Sequence, residues 1–257
     1  MCELFGITTK HSRSINTFLK IFYSHSNKHP HGWGLACMDG HEVLLEKESI
    51  QASKSNYLKE RLSQPIIVKT ALAHIRYATI GNVEYANCHP YSEKDNFGRR
   101  WTMIHNGTIF DYAQLNGFLK LQKGDTDSER ILLYLVDRIN KAQRAARRPL
   151  NDDERFYILD QIIADMSRNN KLNLLFYDGE YLYVHTNYAH SLYVLQYEDT
   201  AIFATVPLTN DDWEPVEFTT LLSYKDGQLM RTGTKHEHEY IDNVEAVKYL
   251  YQIFSDL

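Results

Sequence analysis

Cys2 directly follows Met1, and this position gives its thiol chemistry that an internal cysteine lacks. If Met1 is removed, the thiol lies beside the α-amino group of its own residue. The reference pKa of that amine, about 7.7–8.0, is close to the ~8.5 of a free thiol, so the amine can accept the thiol proton directly or through a water. Cys2 could therefore be a nucleophile with its own general base. The position also fits an ordinary strand residue.

The tetrapeptide His105-Asn106-Gly107-Thr108 follows an apolar strand pattern and has two interpretations. Asn-Gly is common in type I′ hairpin turns, which predicts a turn at this point. Alternatively, the Asn106 side-chain amide and the Gly107 backbone N–H point at one spot. Two such donors would form an oxyanion hole for a tetrahedral intermediate.

Two charged residues accompany these candidates. Arg76 stands near the end of the mostly apolar segment 71–79, so its guanidinium follows a buried strand. It could form a salt bridge to another element, or bind a substrate carboxylate with both arms of its planar fork. Asp127 could complement a helix dipole in a first turn, or pair with a substrate ammonium group.

The histidines suggest a rival hypothesis, a metal site. The chain has twelve histidines; His25, His29 and His31 lie near one another, and His236 and His238 lie near the other end. The chain has no His-Glu-x-x-His pair, and its cysteines are not spaced for zinc. A metal site assembled from separate segments stays an alternative.

The charge balance argues against nucleic acid and anionic membranes as partners. The 257 residues include 28 Lys and Arg against 33 Asp and Glu, a formal net charge of −5. Apolar runs fall short of the ~20 residues that span a bilayer, and the first residues lack the pattern of a signal peptide. The three cysteines, Cys2, Cys37 and Cys88, are an odd and sparse set that favours reduced thiols. We therefore expect a cytoplasmic protein.

The elements that must position these residues begin with hairpins. Asp-Gly dipeptides at 39–40, 178–179 and 226–227 each separate two strand-like segments, which predicts two-residue turns and antiparallel pairing. Further strands are predicted over 2–9, 66–74, 102–105, 192–197 and 201–206.

Helices are predicted in four places. Apolar residues at 15, 18, 19 and 22 give a helix stripe after Ser14 as its cap. Thr126-Asp127-Ser128-Glu129 is a capping box before a second stripe. Two more helices are expected around 156–166 and over 244–254. Hairpins combined with helices predict an α+β protein in which helices cover stacked antiparallel sheets, as one domain.

Several motifs occur together in an order and spacing that resemble the class II glutamine amidotransferases, which are N-terminal nucleophile hydrolases. The motifs are Cys2-Glu3-Leu4-Phe5-Gly6, Gly32-Trp33-Gly34-Leu35, Arg76-Tyr77-Ala78-Thr79-Ile80-Gly81, Asn87-Cys88-His89-Pro90, His105-Asn106-Gly107 and Thr126-Asp127-Ser128-Glu129. The later Pro207-Leu208-Thr209 and Trp213 resemble the free-standing branch of that family, which lacks a synthase domain.

The resemblance covers the whole chain and implies a single amidotransferase domain over residues 1–257. Its fold would be a four-layer αββα sandwich, with two antiparallel sheets between helices. No cofactor and no metal are implied.

The resemblance also implies a role for each of the first candidates. Cys2 would attack the γ-carbonyl of a glutamyl side chain. Asn106 and Gly107 would hold the oxyanion. Arg76 would bind the α-carboxylate and Asp127 the α-ammonium group of the substrate.

Three further residues receive roles from the resemblance. Thr79 and His89 would contact the glutamyl group, and Trp33 would line the pocket near the nucleophile, with a core position as the alternative. The chain departs from the family pattern at Ile80, where synthase-linked relatives often have a histidine, and at His31, where the free-standing branch often has an aspartate.

The implied reaction is hydrolysis of a γ-glutamyl amide bond through a γ-glutamyl thioester. If the substrate is glutamine, the released ammonia needs an acceptor, so a separate synthase subunit would be a partner. If it is a γ-glutamyl peptide or a modified γ-glutamyl compound, the chain could work alone. An alternative from another class is a non-catalytic protein that binds a γ-glutamyl ligand or a metal.

Overall fold

The computed structural model describes residues 2–78 and 81–242. The strands in these ranges are β1 (Glu3–Ser14), β2 (Trp33–Asp39), β3 (Glu42–Glu48), β4 (Ile67–Ile75), β5 (Tyr91–Lys94), β6 (Arg100–Thr108), β7 (Lys171–Tyr177), β8 (Leu182–His185), β9 (Tyr193–Tyr197), β10 (Thr200–Ala204), β11 (Glu214–Pro215), β12 (Leu222–Lys225) and β13 (Gln228–Thr232). The α-helices are α1 (Asn16–Ser24), α2 (Asn56–Ser63), α3 (Asp127–Ala146) and α4 (Asp152–Met166). The helix predicted over 244–254 lies outside the described residues.

The strands form two sheets whose neighbours are all antiparallel, as the hairpin pattern predicts. The first sheet has the order β11-β9-β10-β1-β4-β2-β3, and the second has the order β13-β12-β8-β7-β6-β5. In the first sheet, β1 lies between β10 and β4, so the start of the chain is a central strand.

Three clusters of buried apolar side chains show how the layers stack. One lies between α1, α2 and the first sheet and includes Phe5, Leu19 and Phe22. The middle cluster lies between the two sheets and includes Leu4, Leu72, Ile104 and Leu175. The third lies between the second sheet and α3 and α4, and includes Met103, Leu135 and Ile163. The order helix, sheet, sheet, helix confirms the predicted αββα sandwich. No helix in the described ranges is both long and apolar enough to span a membrane.

The three predicted turns have different outcomes. Asp226 and Gly227 join β12 to β13 with φ of 51° and 78°, and this two-residue turn is confirmed. The first turn is wrong by one residue, because Asp39 pairs with Glu42 and the loop is 40–41.

The turn at 178–179 is also wrong, because Tyr177 pairs with Leu182 across the four-residue loop 178–181. The buried Asp178 carboxylate determines this loop. Its Oδ1 accepts bonds from the backbone N–H groups of Glu180 and Tyr181, and its Oδ2 accepts one from Arg155 Nε at 2.8 Å.

Both predicted helix starts need correction. Ser14 does not cap α1, because it is the last residue of β1 and its hydroxyl donates to Asn16 Oδ1; the N-cap is Ile15, without a side-chain bond. At α3, Thr126 Oγ1 accepts from the Glu129 backbone N–H at 3.3 Å, as the capping box predicts. The Glu129 carboxylate instead accepts bonds from the backbone N–H groups of Lys123 and Gly124, so only half of the box forms.

Candidate active site

Cys2 lies immediately before β1, beside the end of β4. Glu3 pairs with Ile75, so the register places Cys2 opposite Arg76. Side chains alternate along a strand, and Cys2 therefore shares with Leu4 the face that is turned to the second sheet. Its half-buried Sγ lies 3.4 Å from both the backbone N and the carbonyl O of Tyr77. Burial raises the pKa of the Cys2 thiol, and the bond from the Tyr77 N–H and the charge of Arg76 offset part of that rise.

Arg76 directly follows β4 and is buried. Its Nη1 donates to the carbonyl O of Asn82 at 2.8 Å, and its Nη2 donates to that of Gly81 at 3.1 Å. The guanidinium therefore fixes the loop that follows it and places a positive charge beside Cys2.

Asn106 and Gly107 lie inside β6, and the hairpin-turn interpretation is wrong. Asn106 pairs with Asn173 of β7 and Gly107 pairs with Leu172, so the strand continues to Thr108. Gly107 is required there, because a Cβ would collide with the carbonyl O of Lys171. Pairing along the whole of β7 overrides the local turn preference of Asn-Gly.

The Asn106 side chain faces the first sheet. Ile104, two residues earlier, belongs to the cluster between the sheets, and alternation puts Asn106 on the same face. β6 packs against both β1 and β4. Cys2 and Arg76 on one sheet and Asn106 on the other thus border the same space between the sheets.

Asp127 is buried in the first turn of α3, where the helix dipole favours a negative charge. Its Oδ2 accepts the backbone N–H of Ile109 at 2.8 Å, just beyond β6. Ser128 Oγ lies 3.3 Å from its Oδ1. The charge of Asp127 adds to the rise in the Cys2 pKa, so the carboxylate is within electrostatic reach of the thiol.

His89 is also buried near this space. Its ring centroid lies 4.1 Å from that of His74 and 4.8 Å from that of Tyr91. Burial lowers the pKa of His89 well below its ordinary value, and the nearby His74 lowers it further. The His89 carbonyl O lies against Gly34 of β2, where a Cβ would collide with it. Thr79 lies outside the described residues.

Trp33 is a core residue, which corrects the expectation that it lines the pocket. It pairs with Ile75, so alternation turns its side chain to the face opposite that of Arg76. The ring is fully buried among the residues under α1 and α2, stacks on Tyr57 with centroids 6.3 Å apart, and donates from Nε1 to Glu48 at 2.9 Å.

Asn87 and Asp125 join the Arg76 loop to the start of α3, and sequence reasoning gave neither of them a role. The fully buried Asn87 donates from Nδ2 to the Asn82 carbonyl O at 3.0 Å and also to the Asp125 carboxylate. Its Oδ1 accepts the Asp125 backbone N–H at 2.9 Å. The available signal was that Asn87 begins the Asn87-Cys88-His89-Pro90 motif and that Asp125 directly precedes the Thr126–Glu129 motif.

The histidines do not converge on a metal in the part of the chain that the structure describes, where no group of three or more His, Cys, Asp or Glu could hold one. His25 Nδ1 lies 2.8 Å from the Glu3 carboxylate, whereas His31 Nδ1 accepts the backbone N–H of Ala78 at 2.9 Å. Near the other end, His236 Nε2 lies 3.0 Å from His185 Nε2.

Comparisons with known proteins identify a matching family and similar folds. The sequence profile of the class II glutamine amidotransferases matches residues 1–199. The protein MJ1515 of Methanocaldococcus jannaschii is 30% identical over 264 residues, covering 91% of this chain and 72% of that protein. YafJ of Escherichia coli is 30% identical over 192 residues, covering 73% and 74%. The crystal structure of a predicted glutamine amidotransferase from Pseudomonas aeruginosa has a TM-score of 0.63 at 22% identity, covering 90% of this chain and all of that one, and supports the same fold.

Proposed function

The chain belongs to the class II glutamine amidotransferases, and from this membership we propose that it hydrolyses γ-glutamyl amide bonds with Cys2 as the nucleophile. The observation that carries the proposal is the position of Cys2 Sγ, 3.4 Å from the Tyr77 backbone and opposite Arg76, on the face of the first sheet that Asn106 faces from the second.

The thiol needs a base, because its burial raises its pKa and keeps it protonated near neutral pH. Removal of Met1 would give Cys2 an α-amine beside the thiol. That amine takes the thiol proton as Sγ attacks the γ-carbonyl, and it returns a proton to the leaving nitrogen. A γ-glutamyl thioester results, and water then hydrolyses it to glutamate.

The tetrahedral intermediates carry a negative oxygen that Asn106 and Gly107 stabilise. The Asn106 side-chain amide and the Gly107 backbone N–H act as two donors held by the pairing of β6 with β7. A donor of this kind contributes ~2.7–4 kcal/mol, or roughly a hundred- to thousandfold in turnover.

Substrate recognition uses the buried opposite charges. Arg76 binds the α-carboxylate, and Asp127 binds the α-ammonium group at the start of α3. Thr79 and His89 contact the glutamyl group. Because these interactions are remote from the reacting carbonyl, they act equally on substrate and transition state and set affinity.

The leaving amine distinguishes two versions of this function. With glutamine as substrate, ammonia is released and passes to a separate synthase subunit. With a γ-glutamyl peptide or modified γ-glutamyl compound, the chain acts alone. A cytoplasmic location suits either version, since Cys2, Cys37 and Cys88 are all free thiols.

The test compares ammonia release from L-glutamine with hydrolysis of a γ-glutamyl dipeptide by protein that keeps its authentic start. We expect intact-mass measurement to show loss of Met1. We also expect Cys2→Ala to abolish turnover of both substrates while leaving L-glutamate bound. Cys37→Ala is the matched control and keeps wild-type turnover, because Cys37 lies in β2 and burial raises its pKa to about 11.

Two outcomes would count against the proposal, and a third would decide between its two versions. Retained Met1 would leave the Cys2 nitrogen in a peptide bond and favour the non-catalytic binding protein. Full activity behind an uncleavable N-terminal tag would contradict the amine as base. A thousandfold preference for the dipeptide would leave the hydrolase but exclude ammonia transfer from glutamine.

A further inference from the structure

His105 and Ser128 form a hydrogen-bonded chain that ends at Asp127. His105 Nδ1 lies 2.9 Å from Ser128 Oγ, and Ser128 Oγ lies 3.3 Å from Asp127 Oδ1. On the other side of the ring, His105 Nε2 lies 3.3 Å from the carbonyl O of Lys171. All four residues are at most 5% exposed, so water does not replace these contacts.

The partners determine where the protons lie when His105 is neutral. A carbonyl oxygen only accepts, so Nε2 carries the ring hydrogen and donates it to Lys171. Nδ1 is then an acceptor, and the hydroxyl of Ser128 donates its single proton to it. Asp127 Oδ1 receives no proton from Ser128 in this state and retains its capacity to accept from a ligand.

Protonation of His105 reverses the direction of the hydrogen bonds between His105, Ser128 and Asp127. Both ring nitrogens then donate, so Nδ1–H points at the Ser128 oxygen. The hydroxyl proton of Ser128 is released from His105 and turns to Asp127 Oδ1. The carboxylate gains an internal donor at the oxygen that would otherwise accept from a ligand.

The charges around His105 come from several elements. Burial lowers its pKa, the Asp127 carboxylate of α3 raises it, and the Lys171 ammonium of β7 lowers it. His74 of β4 and His89 are also within electrostatic reach of the ring, and burial lowers the pKa of each well below its ordinary value. His105 is therefore neutral at neutral pH and becomes charged on acidification.

We propose that His105 and Ser128 are positioning residues that control the hydrogen bonding of Asp127, so that protonation of His105 weakens the binding of an α-ammonium group. The inference rests on the proposed function, in which Asp127 receives the α-ammonium group of a γ-glutamyl substrate. It adds a selectivity for α-amino substrates that depends on pH. Ser128 links the protonation state of His105 to the hydrogen bonding of Asp127.

The first experiment determines which ring nitrogen of His105 carries the hydrogen, and it does not need enzyme turnover. Two-bond 1H–15N NMR spectra, with the His105 signal identified by its loss in His105→Gln, should show the Nε2–H tautomer at neutral pH. On titration, Ser128→Val should lower the pKa of His105, because the charged ring loses its link to Asp127. Ser128→Thr keeps the hydroxyl in the same shape as valine and should leave that pKa unchanged.

The second experiment measures selectivity. It takes the ratio of kcat/KM for L-glutamine to that for 4-carbamoylbutanoate, which lacks the α-amino group, from pH 8 down to pH 4.5. In the wild type and in Ser128→Thr, we expect acidification to lower this ratio by about tenfold, the equivalent of one charge-assisted hydrogen bond. In Ser128→Val the ratio should fall by clearly less, because only the direct effect of the His105 charge on Asp127 remains. If Ser128→Val disturbs folding, Ser128→Ala is used in its place.

Each arm can overturn the inference. A neutral His105 with its hydrogen on Nδ1, or a His105 pKa that is the same in Ser128→Val and the wild type, contradicts the chain of hydrogen bonds. An acid-dependent loss of selectivity that is as large in both Ser128→Val and Ser128→Ala as in the wild type contradicts the role of Ser128. If no γ-glutamyl compound is turned over, the proposed function fails. The NMR experiment still tests the hydrogen bonds from His105 through Ser128 to Asp127.

Discussion

The opposite charges of Arg76 and Asp127 shift the pKa of the Cys2 thiol in opposite directions. Burial raises the Cys2 pKa, Arg76 lowers it and Asp127 raises it. With the thiol protonated in the resting state, nucleophilic attack depends on a base close to Sγ. The same two charges are complementary to the carboxylate and ammonium groups of an α-amino acid, so in the proposed function they select the substrate while partly cancelling in their effect on the Cys2 thiol.

Arg76→Lys should raise KM far more than it lowers kcat. The lysine ammonium is a point charge that cannot bind a carboxylate with two parallel bonds. It also cannot reproduce the paired donation to the Gly81 and Asn82 carbonyls. Steady-state kinetics with glutamine or a γ-glutamyl dipeptide checks this; equal losses in kcat and kcat/KM would give Arg76 a role in the chemical step.

Asn106→Ala should lower kcat by roughly a hundred- to thousandfold and leave KM within about threefold, because in the proposed reaction the amide acts on charge that develops only in the transition state. Urea denaturation of the same variant is the control, and it should show a folded protein. A rise in KM with an intact kcat would instead make Asn106 a substrate-binding residue.

Three elements hold the site: β6 and β2 through close backbone approach, and α3 through its first turn. Gly107 allows β6 to lie against the Lys171 carbonyl, and Gly34 allows β2 to lie against the His89 carbonyl. The first turn of α3 brings Asp127 to the end of β6, where its carboxylate holds the Ile109 N–H. Geometry at the site therefore depends on where α3 begins.

Thr126→Ala should lower the free energy of unfolding by about 1–2 kcal/mol and also raise KM. The alanine removes the N-cap bond to the Glu129 N–H and the contact between Thr126 Oγ1 and the Tyr91 hydroxyl at 2.7 Å. Both losses loosen the turn that carries Asp127. Urea denaturation and steady-state kinetics give the two readouts.

Asn151→Ala is the matched control for Thr126→Ala. Asn151 caps α4, and its Oδ1 accepts the Glu154 N–H at 2.9 Å. Its loss should cost a similar free energy of unfolding with no change in KM, since α4 starts away from Asp127. A rise in KM in both variants would show that general loosening, rather than the start of α3, is responsible.

Across the whole molecule, burial keeps several histidines neutral. It lowers the pKa of His74, His89 and His105 around the site, that of His185 to about 3 and that of His236 to about 4. In the unfolded chain, histidine titrates near 6.5. The unfolded state therefore binds more protons than the folded state below this pH, and acid shifts the equilibrium towards unfolding.

The free energy of unfolding should fall as the pH drops from about 6.5 towards 5, above the range in which most carboxylates titrate. Stability from the neutral histidines is fully present above their unfolded pKa and is lost below it. Urea denaturation across this range measures the slope. His236→Gln should make the slope shallower, and a flat profile in the wild type would contradict the prediction.

The residue types at the site could be read from the sequence, but their surroundings could not. Spacing and motif order identified Cys2, Arg76, Asn106 and Asp127 as candidates. Sequence reasoning did not find that Arg76 holds its own loop, or that Asn87 joins that loop to Asp125 across 38 residues. Such links depend on contacts between segments far apart in the chain, which no local pattern encodes.

The sequence by itself determined the features that depend on neighbouring residues: the Asp226-Gly227 turn, the Thr126 cap of α3 and the antiparallel pairing that hairpins impose. Only the tertiary structure decided which face and which partner each segment has. It extended Asn106-Gly107 as strand along β7 and turned Trp33 into the core. The physical reason is the distance along the sequence over which each effect acts. Backbone preferences and caps act over a few residues. Burial and sheet register depend on contacts between distant residues, such as Cys2 and Tyr77, which are 75 positions apart.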